Sequence, residues 1–233
     1  ERGAFDLCGF ILLCVGIGGL LAGISSGQRE GWDSDYVLGA FFLSVCSWVG
    51  FIIRERTCPS PLLTLGVFAN PRFLAASAVA FILGMGLFGS TYLIPLFVQT
   101  IQGYSPTESG LLLMPGGIVL GVAMPLAGRL ADRLPPYALI MAGLGIFGLS
   151  SLYMAEAGTS TYFWDFVSWI ALGRIGLGLI MPSLNSGALR LLDAKHMAQG
   201  AGAINFSRQL GGALGVSILS VYMERQTELY AQS

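Results

Sequence analysis

Long apolar runs almost free of charge decide what this chain can fold into. Seven stretches of the 233 residues qualify as membrane spans: 7–24, 36–53, 73–101, 107–130, 137–155, 166–192 and 198–223. A spanning helix needs about 20 largely apolar residues. Hydrophobic residues make up 54% of the chain and charged residues 11%, with a mean hydropathy of +0.72. A soluble core of this size cannot hide that much apolar surface, whereas lipid solvates it. Backbone groups find no water in hydrocarbon, so the runs must satisfy their own hydrogen bonds as helices. The expected fold class is therefore an all-α integral membrane bundle. The third, fourth, sixth and seventh runs exceed what one bilayer requires and are expected to tilt, bend or project.

The 33 glycines and 10 prolines would mark loops in water. In lipid they mark close helix packing and deliberate helix breaks. Gly19 and Gly23, Gly117 and Gly121, and Gly211 and Gly215 stand at small-xxx-small spacing, while Pro95, Pro115, Pro125 and Pro182 fall inside spans. The four cysteines, Cys8, Cys14, Cys46 and Cys58, form no C-x-x-C pair. They read as small buried hydrophobes. The first run lacks a basic leader region beyond Arg2 and a clear cleavage site, so it reads as a span rather than a signal peptide.

Loop charges set an orientation. Arg2, Arg54, Arg56, Arg72, Arg129, Arg133, Arg190 and Lys195 fall on one side of the spans. The other side carries Arg29 and Arg225 against Glu30, Asp33, Asp35, Glu108, Glu156, Asp165, Glu224 and Glu228. The positive-inside rule makes the first side cytoplasmic, with the N-terminus inside and the C-terminus outside. Trp32, Tyr162 and Trp164 fall at the outer boundary, where amphipathic rings are favoured. A net charge of -1 leaves no basic footprint for nucleic acid.

Ser105-Pro106-Thr107-Glu108 spells a capping box that opens the fourth helix. Asn70-Pro71 starts the third and Pro135-Pro136 closes the turn before the fifth. Residues 55–70, polar and holding Pro59 and Pro61, read as a linker that divides a helix pair at 1–60 from five helices at 61–233. The start at Glu1 and the odd number of spans suggest a piece of a longer protein.

All thirteen acids fall in loops or at helix ends. A proton-coupled carrier needs an embedded titratable group, so the main proton site is expected outside this chain. His196, beside Lys195, reads as a solvated turn residue. No nucleophile–base pair, metal-ligand spacing or phosphate loop is present, so neither an enzyme nor a bound metal or cofactor is expected.

Two arginines do lie within spans: Arg174 in the sixth and Arg208 in the seventh. An arginine at the bilayer centre costs about 2.5–3.5 kcal/mol on insertion scales, so each must face protein or a wet cavity. Arg174, Gly178, Met181 and Asn185 share one helical face, as do Asn205, Arg208 and Gly212. The third span carries a stripe of Phe81, Met85, Phe88, Tyr92 and Gln99. Aromatic and methionine side chains give an adaptable apolar wall. Met85, Phe88, Tyr92, Gln99, Arg174 and Asn185 are the candidate substrate-cavity residues. For each, ordinary packing, or an arginine bonded to backbone carbonyls near Pro182, is the competing account. The charged turn Gly128-Arg129-Leu130-Ala131-Asp132-Arg133 is a candidate cytoplasmic gate, together with Arg208. Asp132 is expected near a helix N-terminus or an arginine.

The chain resembles the fourteen-helix drug:proton antiporters of the major facilitator superfamily. Phe5-Asp6-Leu7-Cys8-Gly9 is similar to the entry of that family's seventh helix. Tyr92-Leu93-Ile94-Pro95-Leu96-Phe97-Val98-Gln99, followed by Gly103-Tyr104-Ser105, resembles the end of its ninth. Gly110 to Pro115 and the run from Met124 to Arg133 resemble the tenth helix and the second copy of the superfamily's loop motif. Arg174-Ile175-Gly176-Leu177-Gly178 and Arg208-Gln209-Leu210-Gly211-Gly212 resemble the twelfth and thirteenth. The resemblance implies helices seven to thirteen of fourteen: an inserted pair, then most of the C-terminal half. It implies a cavity lined by the ninth and twelfth helices and proton-titrating acids in the first half. One departure is clear, because Leu134-Pro135-Pro136-Tyr137 stands where the family carries glycine and further basic residues.

The reading that follows is a secondary active exporter of amphipathic small molecules, driven by protons, in a bacterial inner membrane. The alternatives are a uniporter or importer on the same scaffold, or a non-transporting membrane scaffold subunit. The bilayer is the expected partner. The sequence does not specify a periplasmic adaptor.

Overall fold

The structure, a computed structural model, describes residues 6–58, 65–190, 192–193 and 196–231. Arg2, Phe5, Pro59, Pro61 and Lys195 lie outside the described residues, as do the side chains of Arg29, Glu224, Arg225 and Glu228. The elements are helical: α1 (Leu7–Glu30), α2 (Asp35–Thr57), a short 3-10 helix (Leu65–Ala69), α3 (Pro71–Thr100), α4 (Pro106–Ala131), α5 (Pro136–Ala155), α6 (Phe163–Leu189) and α7 (Met197–Ala231). Helices α1 to α6 each carry a stretch long and apolar enough to cross a membrane. The expected seventh span is a helix of 35 residues, but its described part does not reach that apolarity. Gln199, Asn205, Arg208, Gln209 and several glycines dilute it. Such a helix persists in lipid where neighbouring protein covers its polar groups.

Local chemistry places the helix ends. The Ser105 side chain accepts from the Glu108 N–H at 3.2 Å, and the Glu108 carboxylate accepts from the Ser105 N–H at 2.8 Å, completing the capping box. Asn70 precedes α3 and its side chain accepts from the Arg72 N–H. Pro135 and Pro136 open α5. The expected linker starts later than its polarity suggests. Residues up to Thr57 belong to α2, and Glu55 is buried.

Two compact units are present, and the division falls inside α3. One comprises residues 1–89 and 192–233, the other residues 90–191. In the first unit α1 and α2 form a hairpin. Gly16, Gly19 and Gly23 turn one face of α1 toward α2, where they meet Trp48, Ala40 with Ser44, and Phe41. The Ser44 hydroxyl donates to the Gly16 carbonyl at 2.6 Å. Arg54 closes the open end: its Nε donates to both Asp6 carboxylate oxygens at 3.0 and 3.1 Å, and Nη2 lies 3.0 Å from Oδ1. Asp6 also accepts from the Gly9 N–H and so caps α1. The N-terminal part of α3 meets α7 backbone to backbone. A Cβ on Gly84 would strike the Arg208 carbonyl, and one on Gly211 would strike the Phe81 carbonyl. Only glycine permits an approach this close, because any Cβ would separate the two backbones.

The second unit is built on α6, which packs against α4 on one side and α5 on the other. Gly143 and Gly176 pass with each carbonyl 2.6–2.7 Å from where the other's Cβ would stand. Gly178 meets Ala123 of α4, and Ser150 donates to the Trp169 carbonyl at 2.7 Å. Ile94, Val98, Leu112, Phe166, Val167 and Ile170 form the buried core. Phe97 and Trp169 pack against it through ring contacts with Phe166, centroids 6.1 and 5.8 Å apart, and Tyr153 stacks on Trp169 at 6.3 Å.

Two expectations change. Gly117 and Gly121 face open space rather than a neighbouring helix, although their spacing matches that of Gly211 and Gly215. Cys8, Cys14 and Cys46 are exposed rather than buried, and Cys58 is half-buried. In lipid an apolar residue gains little by turning inward, so membership of an apolar run does not predict burial. The boundary rings do point outward: Trp164 is 73% and Tyr162 78% exposed.

The glycine contacts yield a contrast. Gly211→Ala should lower the detergent-solubilised melting temperature through overpacking of about 1–3 kcal/mol, while Gly117→Ala should not. Equal shifts for both would refute the close α3–α7 approach. The hairpin clamp has a pH signature. The Arg54 guanidinium, and then the Gly9 N–H, hold the Asp6 carboxyl below its ordinary range. Its contribution is complete above the ordinary carboxylate range and is lost as pH falls through the lowered value. Asp6→Asn should therefore lower the melting temperature at neutral pH, and the gap to wild type should close in acid.

Candidate functional site

Arg174 is the twelfth residue of α6, about 16 Å along the helix from Phe163 at 1.5 Å per residue. Three helices meet at its side chain. Its stem crosses Gly116 of α4, where a Cβ would stand 3.3 Å from Arg174 Cγ and 2.6 Å from Ile170 Cγ2. Its tip reaches α3, with Nη2 donating to Thr91 Oγ1 at 3.0 Å. Among the described residues no carboxylate pairs with it. The arrangement holds one fixed cation near the middle of α6 with most of its five donors uncommitted.

The other candidate cavity residues of this unit are not gathered around it. Tyr92 follows Thr91 and is half-buried. Gln99 lies about 12 Å further along α3, where its amide donates to the Ser109 hydroxyl at 2.8 Å. Asn185 lies about 16 Å along α6 in the opposite direction and is half-buried. In the first unit, Met85 packs on Gly215 and Phe88 on Gly212, so both help seat α7 on α3. Phe88 keeps part of its ring exposed. Arg208 donates to the Asn205 side chain one turn away.

The charged turn is short. Arg129 lies in the last turn of α4, Asp132 caps it, and the N–H groups of Arg133 and Leu134 both bond to the Leu130 carbonyl. Asp132 is exposed and makes no ion pair among the described residues, and of its two expected neighbours, a helix N-terminus or an arginine, the start of α5 at Pro136 follows closely in the chain. The helical backbone at Asp132 carries its side chain outward, and Pro135-Pro136 starts α5 at once. Gly128 faces open space. A groove of about 760 Å3 runs along α4 and α6, walled by Ile118, Val122, Ile175 and Leu179, with Arg129 and Arg133 in its lining.

Sequence reasoning missed the opposite end of this unit. Gln102 donates to the carbonyls of Gly158 and Thr161 at 2.9 and 3.2 Å, clasping the α3–α4 turn to the α5–α6 loop. Tyr104 stacks on Phe163 beside it, with centroids 6.4 Å apart. Thr91 and Gly116 were also missed. The single available signal was their position: Thr91 precedes Tyr92 of the polar stripe, and Gly116 follows Pro115.

Residues 3–216 match the family model described as Major Facilitator Superfamily. The chain is 28% identical to the "Multidrug transporter protein MdtP" of Bacillus subtilis, over 96% of this chain and 41% of that protein. It is 29% identical to the "Lincomycin resistance protein LmrB" of Listeria innocua, over 98% of this chain and 48% of that protein. It is 30% identical to the "Multidrug resistance protein B homolog" of Mycobacterium tuberculosis, over 95% of this chain and 42% of that protein. The chain thus spans less than half the length of these relatives.

The clasp should be measurable. Gln102→Leu removes both donors, so amide hydrogen exchange across residues 156–162 should accelerate about three- to tenfold, the worth of one net hydrogen bond. Unchanged exchange would show that the loop is held by other contacts.

Proposed function

For a chain that belongs to the Major Facilitator Superfamily, we propose a role in a secondary active transporter that exports amphipathic small molecules. Alternating access around a site near the bilayer midplane would move them. The observation that carries the reading is Arg174, a cation at mid-span held by groups from two other helices and paired with no described acid. A structural arginine would be neutralised where it sits, because an unpaired buried charge is expensive. The resistance and multidrug names of the relatives support an exporter of drug-like molecules.

Residues 1–60 would be an inserted helix pair and 61–233 most of one transporter half. Tyr92, Gln99, Met85, Phe88 and Asn185 would join Arg174 along the substrate path at different depths. Arg129, Asp132, Arg133, Gly128 and Arg208 would belong to the cytoplasmic gate. Protons would drive export through an acid outside this chain, since none of the thirteen acids here falls near the middle of an apolar run. Within the second unit, Glu156 and Asp165 flank the α5–α6 loop while Arg129, Arg133 and Arg190 mark the opposite helix ends. By the positive-inside rule the α4–α5 turn would face the cytoplasm, the membrane being a bacterial inner membrane on this reading.

Arg174→Ala in the intact transporter should cut substrate efflux from everted vesicles about tenfold or more, the scale of a lost charge-assisted bond. Membrane insertion and melting temperature should hold. Wild-type efflux by the variant would refute the reading. Efflux that persists after a protonophore collapses the gradient would favour a uniporter.

A further inference from the structure

We infer that Arg174 is the receptor for the carboxylate or other anionic group of a transported amphiphile, and that Thr91 and Gly116 are the positioning residues that aim it. The inference rests on the transporter reading and deepens it by naming the class of head group recognised. Three observations converge. First, the charge of Arg174 is unbalanced: among the described residues its hydrogen bond goes to a neutral hydroxyl, and no acid pairs with it. A guanidinium in a membrane interior is completed best by a planar anion, which it grips with two parallel N–H donors. Second, its depth excludes a phospholipid head group. Arg174 lies about 16 Å along α6 from Phe163, close to the middle of a 27-residue helix. An anion that reaches it must travel on a molecule able to enter the protein.

Third, the side chain is aimed. Its stem passes over Gly116, a notch that any larger residue would fill, since a Cβ there would press on both Ile170 and the Arg174 stem. Its Nη2 is spent on Thr91. A long, rotamer-rich side chain loses that freedom before substrate arrives. Binding then does not bear the ordering cost, which is the general benefit of preorganisation. Thr91 is suited to this role because its hydroxyl accepts a bond without neutralising the charge. An aspartate at the same place would orient the guanidinium and also satisfy it.

Two readouts separate positioning from recognition. The first is reaction of Arg174 with phenylglyoxal in the purified protein, followed by mass spectrometry. Thr91→Val should change the labelling rate about three- to tenfold, the equilibrium worth of the lost hydrogen bond, and Thr91→Ser should restore it. Identical labelling in wild type and Thr91→Val overturns the positioning role, even if Arg174→Ala abolishes transport. The second is efflux of carboxyfluorescein and of ethidium from cells that carry the intact transporter. Thr91→Val should raise KM for carboxyfluorescein more than for ethidium while Vmax holds, with rescue by Thr91→Ser. Arg174→Ala should lose carboxyfluorescein efflux. Wild-type cells that export ethidium but no carboxyfluorescein, or an Arg174→Ala variant that exports both at the wild-type rate, overturn the anion receptor. A wild type that moves neither dye removes the exporter reading, and the labelling result then decides the positioning role alone.

Discussion

Lipid gives helices no hydrophobic reason to associate, so contact between backbones has to supply what burial supplies in water. This chain meets that constraint with glycine. Gly84 and Gly211 bring α3 and α7 together, Gly143 and Gly176 bring α5 and α6 together, and Gly16, Gly19 and Gly23 seat α1 on α2. Each removes a Cβ where a carbonyl or an aromatic ring comes close. Carbonyls set this close to a glycine also suit weak C–H···O contacts, worth about 0.5–1 kcal/mol each. The remaining features of the chain are placed by these crossings. Arg174 reaches Thr91 because α6 and α4 lie close enough for its stem to cross a glycine.

Polar bonds between helices act locally among the described residues. Ser44 to Gly16 and Ser150 to Trp169 each tie one helix pair. Gln102 holds two turns together at one end of the second unit, while at its other end Asp132 and Arg133 stay exposed. One end of the second unit is therefore clasped and the other is left open to solvent. That asymmetry coincides with the charge asymmetry of the loops.

The helices were legible because a span announces itself in composition. Runs almost free of charge gave six of the seven, and the Ser105–Glu108 box and Pro135-Pro136 gave ends accurate to a residue or so. α7 was legible as a helix but not as a typical span, because Gln199, Asn205, Arg208 and Gln209 lower its apolarity, and Asn205 and Gln209 are exposed. Glycine spacing was a poorer guide. Gly211 and Gly215 meet α3, yet Gly117 and Gly121, at the same spacing, meet nothing. Spacing describes one helix, whereas a contact needs two. The candidate site shows the same limit. Arg174 could be picked out alone as a cation in an apolar run, but Thr91 lies 83 residues away and became its partner only through the fold. Gln102 was invisible for the same reason, as its acceptors are backbone carbonyls 56 and 59 residues on.

The Asp6–Arg54 clamp bears on how the chain enters a membrane. Residues 6 and 54 are 48 positions apart, and both lie within one helical hairpin. The hairpin therefore contains, within residues 6–58, its own apolar faces, its glycine seam and the charges that close its mouth. It needs no later segment to neutralise those two ions. A unit of this kind can leave the insertion machinery as a finished pair and wait in the bilayer for its neighbours, so errors of topology downstream need not propagate back into it.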